Sequence, residues 1–251
     1  MRIAADAVIR SIVMQVPIFA AEGRLGAALA RNLILFRSEL FFPFRISLVH
    51  AFSLHWNLTD SDPIQLFKQW FDGAVSAGLP EPNAMTLGTA TRQGKPSARI
   101  VLLKAFDERG FVFYTNYDSR KGRELARNPY AALVFFWQPL ARQIRVTGRV
   151  TKVSADESDK YFHSRPVGSR FSASISKQSS VIASRDVLLG KLKKLEEKYP
   201  KGDPPRPINW GGFRVYPTEI EFWQGGEFRL HDRMRYRRRR DGSWSVDRLS
   251  P

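Results

Sequence analysis

The sequence predicts an α+β domain built around an antiparallel β-barrel, and three observations favour this fold class. Five strand-like runs follow one another between residues 84 and 153, and several of them alternate apolar with polar residues. The connections between the runs are short and rich in turn residues, as in "RQGKP" and "DERG". With 251 residues and 43% hydrophobic content, the chain is long enough to bury the core of such a domain.

Two helices are predicted outside these runs. The first begins after Asp62, which can cap it, and has Pro63 in its first turn. Its apolar residues at helical spacing are Phe67, Trp70, Phe71 and Ala74. The second helix is predicted for residues 185–200. Its apolar stripe contains Leu188, Leu192, Leu195 and Tyr199.

Strand-like runs return near the C-terminus, at residues 211–224 and 233–240. Asp241 and Gly242 then precede the alternating run "SWSVDRL", and this dipeptide is typical of a β-hairpin turn. The arginines at residues 237–240 border the turn, where positive charge most often marks a solvated strand edge. We therefore expect a C-terminal hairpin with a basic, exposed tip.

The formal net charge of +16 is high for a chain of this length. Such a balance suits nucleic acid, an anionic membrane surface or phosphorylated small molecules, and charge alone does not choose among them. The sequence has no cysteine and only four histidines, which lack clustered ligand spacing. Disulfides and thiolate metal sites are therefore excluded, and no metal site is expected.

Residues 1–58 differ in composition from the rest, with six arginines, three acidic residues and no lysine. Their apolar runs fall short of the roughly 18–20 uninterrupted residues that a membrane span requires. Three interpretations stay open: an amphipathic arm that packs on the body, a targeting segment, or a mis-called extension from an upstream start codon. We favour the arm or the extension, and we place the folded domain at residues 59–251.

The most basic stretch is "EFRLHDRMRYRRRR", with seven arginines in its fourteen positions, 227–240. In an extended strand, Arg229, His231 and Arg233 would share one face and present two guanidiniums and an imidazole together. Solvent-exposed charged side chains without a binding role would show the same spacing. The stretch is thus a candidate site whose chemistry would be the binding of an anion.

A second basic cluster lies in "NYDSRKGRELARN". Ser119 is a suitable helix N-cap, which places Arg120 and Lys121 in the first helical turn. Cations oppose the positive end of the helix dipole there, by roughly 0.3–1 kcal/mol each. The arrangement is favourable if an anion such as phosphate binds at that helix end. Solvated charge is the alternative.

The segment "SADESDKYFHSRPVGSR" predicts a further helix. Ser154 and Glu157 fit a capping box at its start. Pro166 and Gly168 are expected to end it. The helix is thus expected to end near residue 165, and the candidate phosphate-binding residues lie near that end.

Three side chains near that helix end could bind a phosphate. Tyr161 and Arg165 are four residues apart and share a helix face, and Ser169 follows shortly after. A phenol, a guanidinium and a hydroxyl that converge can hold a phosphate. His163 points elsewhere, and a structural role is expected for it.

The run "RIVLLK" has an apolar strand centre bounded by Arg99 and Lys104. An ordinary strand with solvated ends explains it. A lysine that faces inward at such a strand end would instead indicate a functional site.

Seven motifs, in order and with suitable gaps, resemble the pyridoxamine 5′-phosphate oxidase family. They are "RIVLLK", "FYTNYDSRKGRELARNP", "KYFHSRPVGS", "SKQSS", "WGGFRV", "EFWQGGEFRLHDR" and "DRLSP". The resemblance covers about residues 60–251. Each motif alone is weak, but seven in sequence are specific. One departure lies upstream, where "FRISLVHAF" does not match the basic, tyrosine-containing segment that folds over the substrate in the family.

The resemblance implies a fold, a cofactor and an assembly. The fold is an FMN-binding split barrel of the six-stranded type with flanking helices. The assembly is a homodimer that holds each FMN between its subunits, and residues of about 209–251 serve dimerisation and substrate binding.

The resemblance also implies site residues. Those that contact FMN would be Arg99, Ile100, Val101, Leu102, Leu103, Lys104, Tyr114, Thr115, Arg120, Lys121, Gln143, Gln178, Ser179, Trp223 and Arg233. Those that contact the substrate would be Lys104, Tyr161, Arg165, Ser169, Arg229, Leu230 and His231. Arg229 and His231 would be the catalytic residues.

The implied reaction is oxidation of pyridoxamine or pyridoxine 5′-phosphate to pyridoxal 5′-phosphate by O2, with release of H2O2 and, from the amine, ammonia. A cytoplasmic enzyme that binds neither nucleic acid nor membrane is expected, with organellar targeting left open. The alternatives are another FMN split-barrel oxidoreductase with a different substrate, a basic nucleic-acid-binding barrel, and a flavin- or vitamer-storage protein.

Overall fold

Nine strands and five α-helices make up residues 62–251, the part of the chain that the computed structural model describes. In chain order they are α1 (Pro63–Ser76), β1 (Ala84–Ala90), β2 (Pro96–Leu102), β3 (Ala105–Asp107), β4 (Gly110–Asn116), α2 (Arg120–Arg127), β5 (Tyr130–Trp137), β6 (Arg142–Lys152), α3 (Ala155–Ser164), α4 (Val167–Ile175), α5 (Asp186–Lys198), β7 (Trp210–Gln224), β8 (Asp232–Arg238) and β9 (Trp244–Arg248). The expectations for residues 1–58, including "FRISLVHAF", lie outside the described residues.

All strand pairs are antiparallel, in the order β2-β1-β5-β6-β7-β4-β3, and β8 and β9 continue from β7. The long strand β7 pairs with β4 through its first half and with β8 through its second half, while β6 lies along both. A register shift between Thr147 and Gly148 bends this pair. A Cβ at Gly148 would lie 2.0 Å from the Tyr216 carbonyl oxygen, so the bend requires glycine. The sheet therefore curls, which confirms the predicted antiparallel barrel within an α+β fold.

The helix α1 fills the inside of the curled sheet. Asp62 caps it as predicted, because its carboxylate accepts a hydrogen bond from the Ile64 backbone N–H at 2.8 Å. Phe67 is fully buried. Its ring contacts four other rings at centroid distances of 4.8–5.9 Å, those of Phe71, Phe106, Phe111 and Phe135. This aromatic cluster fixes the helix to the strands that surround it.

The predicted strand through "SARIVLLKAF" is interrupted after β2. The Leu103 backbone N–H donates to the Asn83 carbonyl oxygen at 2.8 Å, and the next N–H, of Lys104, donates to the Val112 carbonyl oxygen at 2.9 Å. The chain thus changes its hydrogen-bond partner between these two residues and crosses from the β1 side to the β4 side. Leu103 consequently lies in the hydrophobic core, whereas Lys104 stays exposed.

Gly168 does not end the helical segment as expected. Arg165 is extended, with φ −79° and ψ 150°, the conformation that a residue before proline prefers. Pro166 then serves as the N-cap position of α4, which contains Gly168 and Ser169 in its first turn. The proline therefore separates two helices, and Ser169 belongs to the start of the second one.

Residues 227–231 do not extend the C-terminal strand. Glu227–Arg229 forms a short 3₁₀ turn, with positive φ at Phe228 (53°) and Arg229 (64°), and β8 begins only at Asp232. The expected alternation that placed Arg229, His231 and Arg233 on one strand face is therefore wrong. The tight turn is closed by the Leu230 N–H, which donates to the Glu227 carbonyl oxygen at 2.9 Å.

The C-terminal hairpin is confirmed, with β8 paired to β9 and Gly242 at φ 88° in the turn. Arg239 and Arg240 are exposed, as predicted. Arg238 is not, because its guanidinium lies over the rings of Tyr216 and Trp244, at 4.3 and 5.4 Å from their centroids. Within residues 62–251, no helix is long and apolar enough to cross a membrane.

The variant Phe67→Ala should lower the free energy of unfolding by about 3–5 kcal/mol, because it removes the centre of the aromatic cluster and leaves a cavity. Chemical denaturation followed by tryptophan fluorescence measures the loss. Val75→Ala, on the same helix but at a side chain that is 51% exposed, should change stability by less than about 0.5 kcal/mol. Similar losses in the two variants would contradict this packing.

Candidate active site

A cavity of about 910 Å³ opens where the edge strand β2, the end of β4, the start of α2 and the start of α4 meet. Five cationic side chains line it: Arg99, Lys104, Arg120, Lys121 and Arg165. No aspartate or glutamate of the described residues is among its lining. The cavity is therefore strongly positive and suited to anionic groups.

The structure brings most of the expected site residues together in this cavity. They are Arg99, Ile100, Val101, Leu102, Lys104, Tyr114, Thr115, Arg120, Lys121, Gln178 and Ser179 of the expected cofactor set, and Tyr161, Arg165 and Ser169 of the expected substrate set. The expected residues that do not line it are Leu103, Gln143, Trp223, Arg229, Leu230, His231 and Arg233.

The start of α2 forms one end of the cavity. Ser119 caps the helix as predicted, since its hydroxyl accepts a hydrogen bond from the Gly122 N–H at 3.2 Å. A Cβ at Gly122 would lie 2.1 Å from the Tyr117 carbonyl oxygen, so glycine is required for this close approach. The Arg120 N–H donates to the Ser179 hydroxyl at 3.2 Å, which ties the helix start to the loop after α4. The first helical turn contains two cations and no acidic residue.

Lys121 is only 8% exposed and has no carboxylate partner in the described part of the chain. Its ammonium donates to three neutral oxygens: Thr115 Oγ1 at 3.1 Å, Gln178 Oε1 at 2.9 Å and Ser119 Oγ at 3.4 Å. Burial, with a smaller contribution from the Arg99 charge, lowers the pKa of Lys121 to about 8. An anion beside it would offset this cost.

Aromatic rings form the opposite wall. Tyr114 and Tyr161 stack at a centroid distance of 3.9 Å, and burial raises the pKa of Tyr114 to about 12, so that its phenol is neutral. Trp210 lies nearly parallel to both rings. The Arg165 guanidinium lies 4.7 Å from the centroid of the Trp210 ring.

Arg165 is the clearest indication that the cavity binds an anion. Burial lowers the pKa of its guanidinium, and its Nη1 is buried without a hydrogen-bond partner in the described structure. A buried, unsatisfied guanidinium nitrogen is unfavourable unless a ligand accepts its hydrogen bond. Within residues 62–251, Arg165 and Lys121, on separate walls of the cavity, both lack a carboxylate partner. The residues present thus fit two anionic groups, such as the phosphate of a nucleotide-like cofactor and that of a substrate.

The sequence had not singled out Trp210 as a site residue. Its only signal was the pair of glycines that follows it. A Cβ at Gly212 would lie 2.8 Å from the Tyr114 ring, so the glycine allows the strand and the ring to approach each other. Glu124, behind the cavity wall, was also missed.

Leu103 lies in the hydrophobic core, and the other expected residues lie on β6, β7 and β8 and in the turn between β7 and β8. Gln143 pairs with Trp223, and Trp223 pairs with Arg233, so the three side chains form a row across adjacent strands. The rings of Trp223 and His231 lie 4.7 Å apart. The Gly226 N–H donates to His231 Nδ1 at 3.2 Å, which leaves Nε2 as the protonated nitrogen of the neutral imidazole.

Comparison with known proteins agrees with this architecture. A family model described as pyridoxamine 5′-phosphate oxidase matches residues 71–199, and one described as the pyridoxine 5′-phosphate oxidase C-terminal dimerisation region matches residues 210–251. A pyridoxine/pyridoxamine 5′-phosphate oxidase from Trichormus variabilis is 59% identical over 192 residues, which are 76% of this chain and 90% of that protein. One from Cupriavidus pinatubonensis is 57% identical over 199 residues, 79% of this chain and 93% of that protein.

Two solved structures are also similar. The structure of PhzG from Burkholderia lata 383, in complex with tetrahydrophenazine-1-carboxylic acid, has a TM-score of 0.74 and 35% identity and covers 77% of this chain and 94% of its own. A pyridoxamine 5′-phosphate oxidase-related, FMN-binding protein from Nostoc punctiforme has a TM-score of 0.58 over 74% of this chain and 97% of its own; at 16% identity it supports the fold alone.

The curled antiparallel sheet has the fold of the FMN-binding split-barrel class. Within that class, the chain belongs to the pyridoxamine 5′-phosphate oxidase family of FMN-dependent enzymes. The resemblance found in the sequence, the fold class and the cofactor are thereby confirmed.

The affinity of the flavin-free protein for FMN should fall as the pH rises above 8. Lys121 is protonated below its pKa of about 8, and a bound phosphate favours the protonated form. Binding above pH 8 therefore takes up a proton, and Kd should rise by up to about tenfold per pH unit. Fluorescence titrations with FMN measure this slope.

Riboflavin, which lacks the phosphate, is the control and should show a flatter dependence. The variant Lys121→Met should remove the slope for FMN. Equal slopes for the two flavins would show that Lys121 does not face the phosphate.

Proposed function

We propose that this chain oxidises pyridoxamine 5′-phosphate or pyridoxine 5′-phosphate to pyridoxal 5′-phosphate, as an FMN-containing homodimer. The observation that carries the proposal is the Nη1 of Arg165, which is buried and has no hydrogen-bond partner among the described residues. The Arg165 side chain lines a cavity that is also lined by the cations Arg120 and Lys121. Curated relatives that are 57–60% identical have the same activity in their names.

The cofactor phosphate is held at the start of α2. Arg120 and Lys121 supply the positive charge, and Ser179 and Gln178 supply polar contacts beside them. Thr115 and the strand residues 99–102 line the approach to this end. FMN, when bound, supplies the acceptor for the two electrons that leave the substrate.

The substrate phosphate is held by Lys104, Tyr161, Arg165 and Ser169. Arg165 contributes the nitrogen that otherwise has no partner, and the Trp210 ring beneath its guanidinium limits its motion. Ser169, in the first turn of α4, adds a hydroxyl to the clamp. A phosphate fixed in this way can hold the reacting carbon in a productive position.

Residues from the second subunit complete the site. Trp223, Arg229, His231 and Arg233 lie in the segment that matches the dimerisation region, and Leu230 is an exposed apolar side chain there. None of them lines the cavity of their own chain. Together with Gln143 they would close the cavity of the partner, which explains why one chain holds only part of the expected set.

The reaction removes two electrons from C4′ of the substrate. The C4′–H bond breaks, and the hydrogen leaves with its electron pair as a hydride. The alcohol also loses its hydroxyl proton and becomes the aldehyde. The neutral amine likewise loses one N–H proton and becomes an imine, which water hydrolyses to the aldehyde and ammonia. O2 takes up the two electrons and two protons as H2O2.

Arg229 and His231 orient C4′ and assist the proton transfers that accompany the loss of the hydride. The His231 ring is fixed by the hydrogen bond that its Nδ1 accepts and by Trp223, so that its Nε2–H can donate to the 4′ substituent. Arg229 is held at a positive φ in the 3₁₀ turn, which fixes its position relative to the ring.

The likeness to PhzG raises the alternative of a carboxylated tricyclic substrate. Oxygen uptake by the purified yellow protein separates the two. We expect turnover with both phosphorylated vitamers and far slower turnover with unphosphorylated pyridoxamine. Failure to oxidise either phosphorylated vitamer would overturn the proposal, and a colourless protein that binds oligonucleotides would favour the nucleic-acid-binding alternative.

Replacing Arg165 by alanine should raise KM for pyridoxamine 5′-phosphate by about 10- to 100-fold, because a charge-assisted hydrogen bond to the phosphate is lost. The effect on unphosphorylated pyridoxamine should be much smaller. Steady-state oxygen uptake gives both values. Lys160→Ala removes an exposed cation from the neighbouring helix α3 and is the matched control. Equal losses for both substrates would exclude phosphate recognition by Arg165.

The variants Arg229→Ala and His231→Ala should lower kcat by about 10²-fold, the usual contribution of a positioned proton donor, while the protein stays yellow. Absorbance near the flavin maximum reports cofactor content, and single-turnover reduction reports the chemical step. Arg240→Ala, at the exposed hairpin tip, is the control. Full activity in both variants would remove these residues from the reaction.

A further inference from the structure

A carboxylate lies behind Arg120, one of the two cations that the proposed function assigns to the FMN phosphate, and the inference drawn from it rests on that proposed function. Glu124, on α2, is only 6% exposed and contacts two of the cavity arginines, Arg99 and Arg120. A negative charge at this place opposes the binding of a phosphate by simple electrostatics. Its presence in an otherwise cationic site therefore requires an explanation from geometry.

The hydrogen bonds of Glu124 join the helix to two strands. Oε2 accepts from the hydroxyls of Thr89, on β1, and Ser97, on β2, the latter at 2.6 Å, and lies 3.4 Å from Arg99 Nη2. Oε1 accepts from Arg120 Nε at 2.9 Å. Burial alone raises the pKa of this carboxyl, but the hydrogen bonds from Ser97, Thr89 and Arg120 lower it to about 2. Glu124 is thus ionised at neutral pH.

The two arginines are used differently. Arg99 donates from Nη1 to the Leu87 carbonyl oxygen and to Thr89, and from Nη2 to Ser97 and Glu124. Its guanidinium is therefore hydrogen-bonded within the chain and connects β1 and β2 to helix α2. The Arg120 side chain donates only from Nε, and no hydrogen bond within residues 62–251 uses its two terminal nitrogens. Its side chain is 60% exposed.

We propose that Glu124 is a positioning residue for the cofactor phosphate. It binds Nε of Arg120, so that both terminal nitrogens of Arg120 face the cavity. It also neutralises Arg99 and fixes that side chain behind Arg120. A freely rotating Arg120 would lose side-chain entropy when it binds phosphate, whereas the clamped side chain has lost most of it already. Glu124 does not line the cavity and would act on the phosphate only through the arginines.

Positioning and electrostatics make opposite predictions for the variant Glu124→Ala. If only charge mattered, removal of a negative charge would tighten FMN binding. If Glu124 positions Arg120, FMN should bind about tenfold more weakly even though the cavity has become more positive. Riboflavin, which lacks the phosphate, should bind with an unchanged Kd.

The experiment is a titration of the full-length, flavin-free protein with FMN and with riboflavin, followed by flavin fluorescence. Glu197→Ala, which removes an exposed carboxylate from α5, is the matched control and should alter neither Kd. Glu124→Gln keeps one oxygen acceptor and should restore much of the FMN affinity. If Glu124→Ala does not fold, the same comparison of FMN with riboflavin is made on Glu124→Gln, which should then show a smaller loss for FMN alone.

A double variant tests whether Glu124 acts through Arg120. Arg120→Ala should weaken FMN binding by itself, and adding Glu124→Ala should cause no further loss, since the side chain that is positioned has gone. Unchanged or tighter binding of FMN by the single Glu124 variants, an equal loss for riboflavin, or additive losses in the double variant would each overturn the proposal.

Discussion

The structure depends on positive charge that the described part of the chain neutralises only in part, because Arg99 and Arg120 pair with Glu124 whereas Lys121 and Arg165 have no carboxylate partner among the described residues. Five cationic side chains line one cavity without a carboxylate among its lining, and two of them, Lys121 and Arg165, are partly or wholly withdrawn from water. Burial of such groups is unfavourable unless anions satisfy them. The cavity is therefore organised for ligands that complete it, and phosphate esters supply the required charge and hydrogen-bond acceptors.

The fold keeps these charges apart and in place. The long strand β7 joins the two halves of the curled sheet, and the change of hydrogen-bond partner between Leu103 and Lys104 brings the strand edge of β2 next to β4. Side chains from distant parts of the sequence then converge on one cavity. The aromatic cluster around Phe67 makes this frame rigid. Mutual repulsion of the cations is thus resisted by packing rather than by ion pairs alone.

Local signals in the sequence predicted local structure well. The caps at Asp62 and Ser119 and the turn at Gly242 depend on neighbouring residues only, and all three are present. The turn around Arg229 was not predicted, because strand alternation gives no sign of where a strand begins. Glu124 and Trp210 were missed for a different reason: their partners lie far away in the sequence, as with Thr89, which is 35 residues from Glu124. The ordered motifs identified the family, but no pattern within the chain reveals such contacts.

A crystal structure of the protein with FMN and pyridoxal 5′-phosphate is the most direct test of two separate phosphate sites in one cavity. We expect one phosphate at the start of α2, against Arg120 and Lys121, and the other against Arg165 and Ser169, with the loop of residues 225–231 from the second subunit closing the cavity. If both phosphates were found outside this cavity, or if Arg165 Nη1 stayed without a partner in the complex, the account would be contradicted.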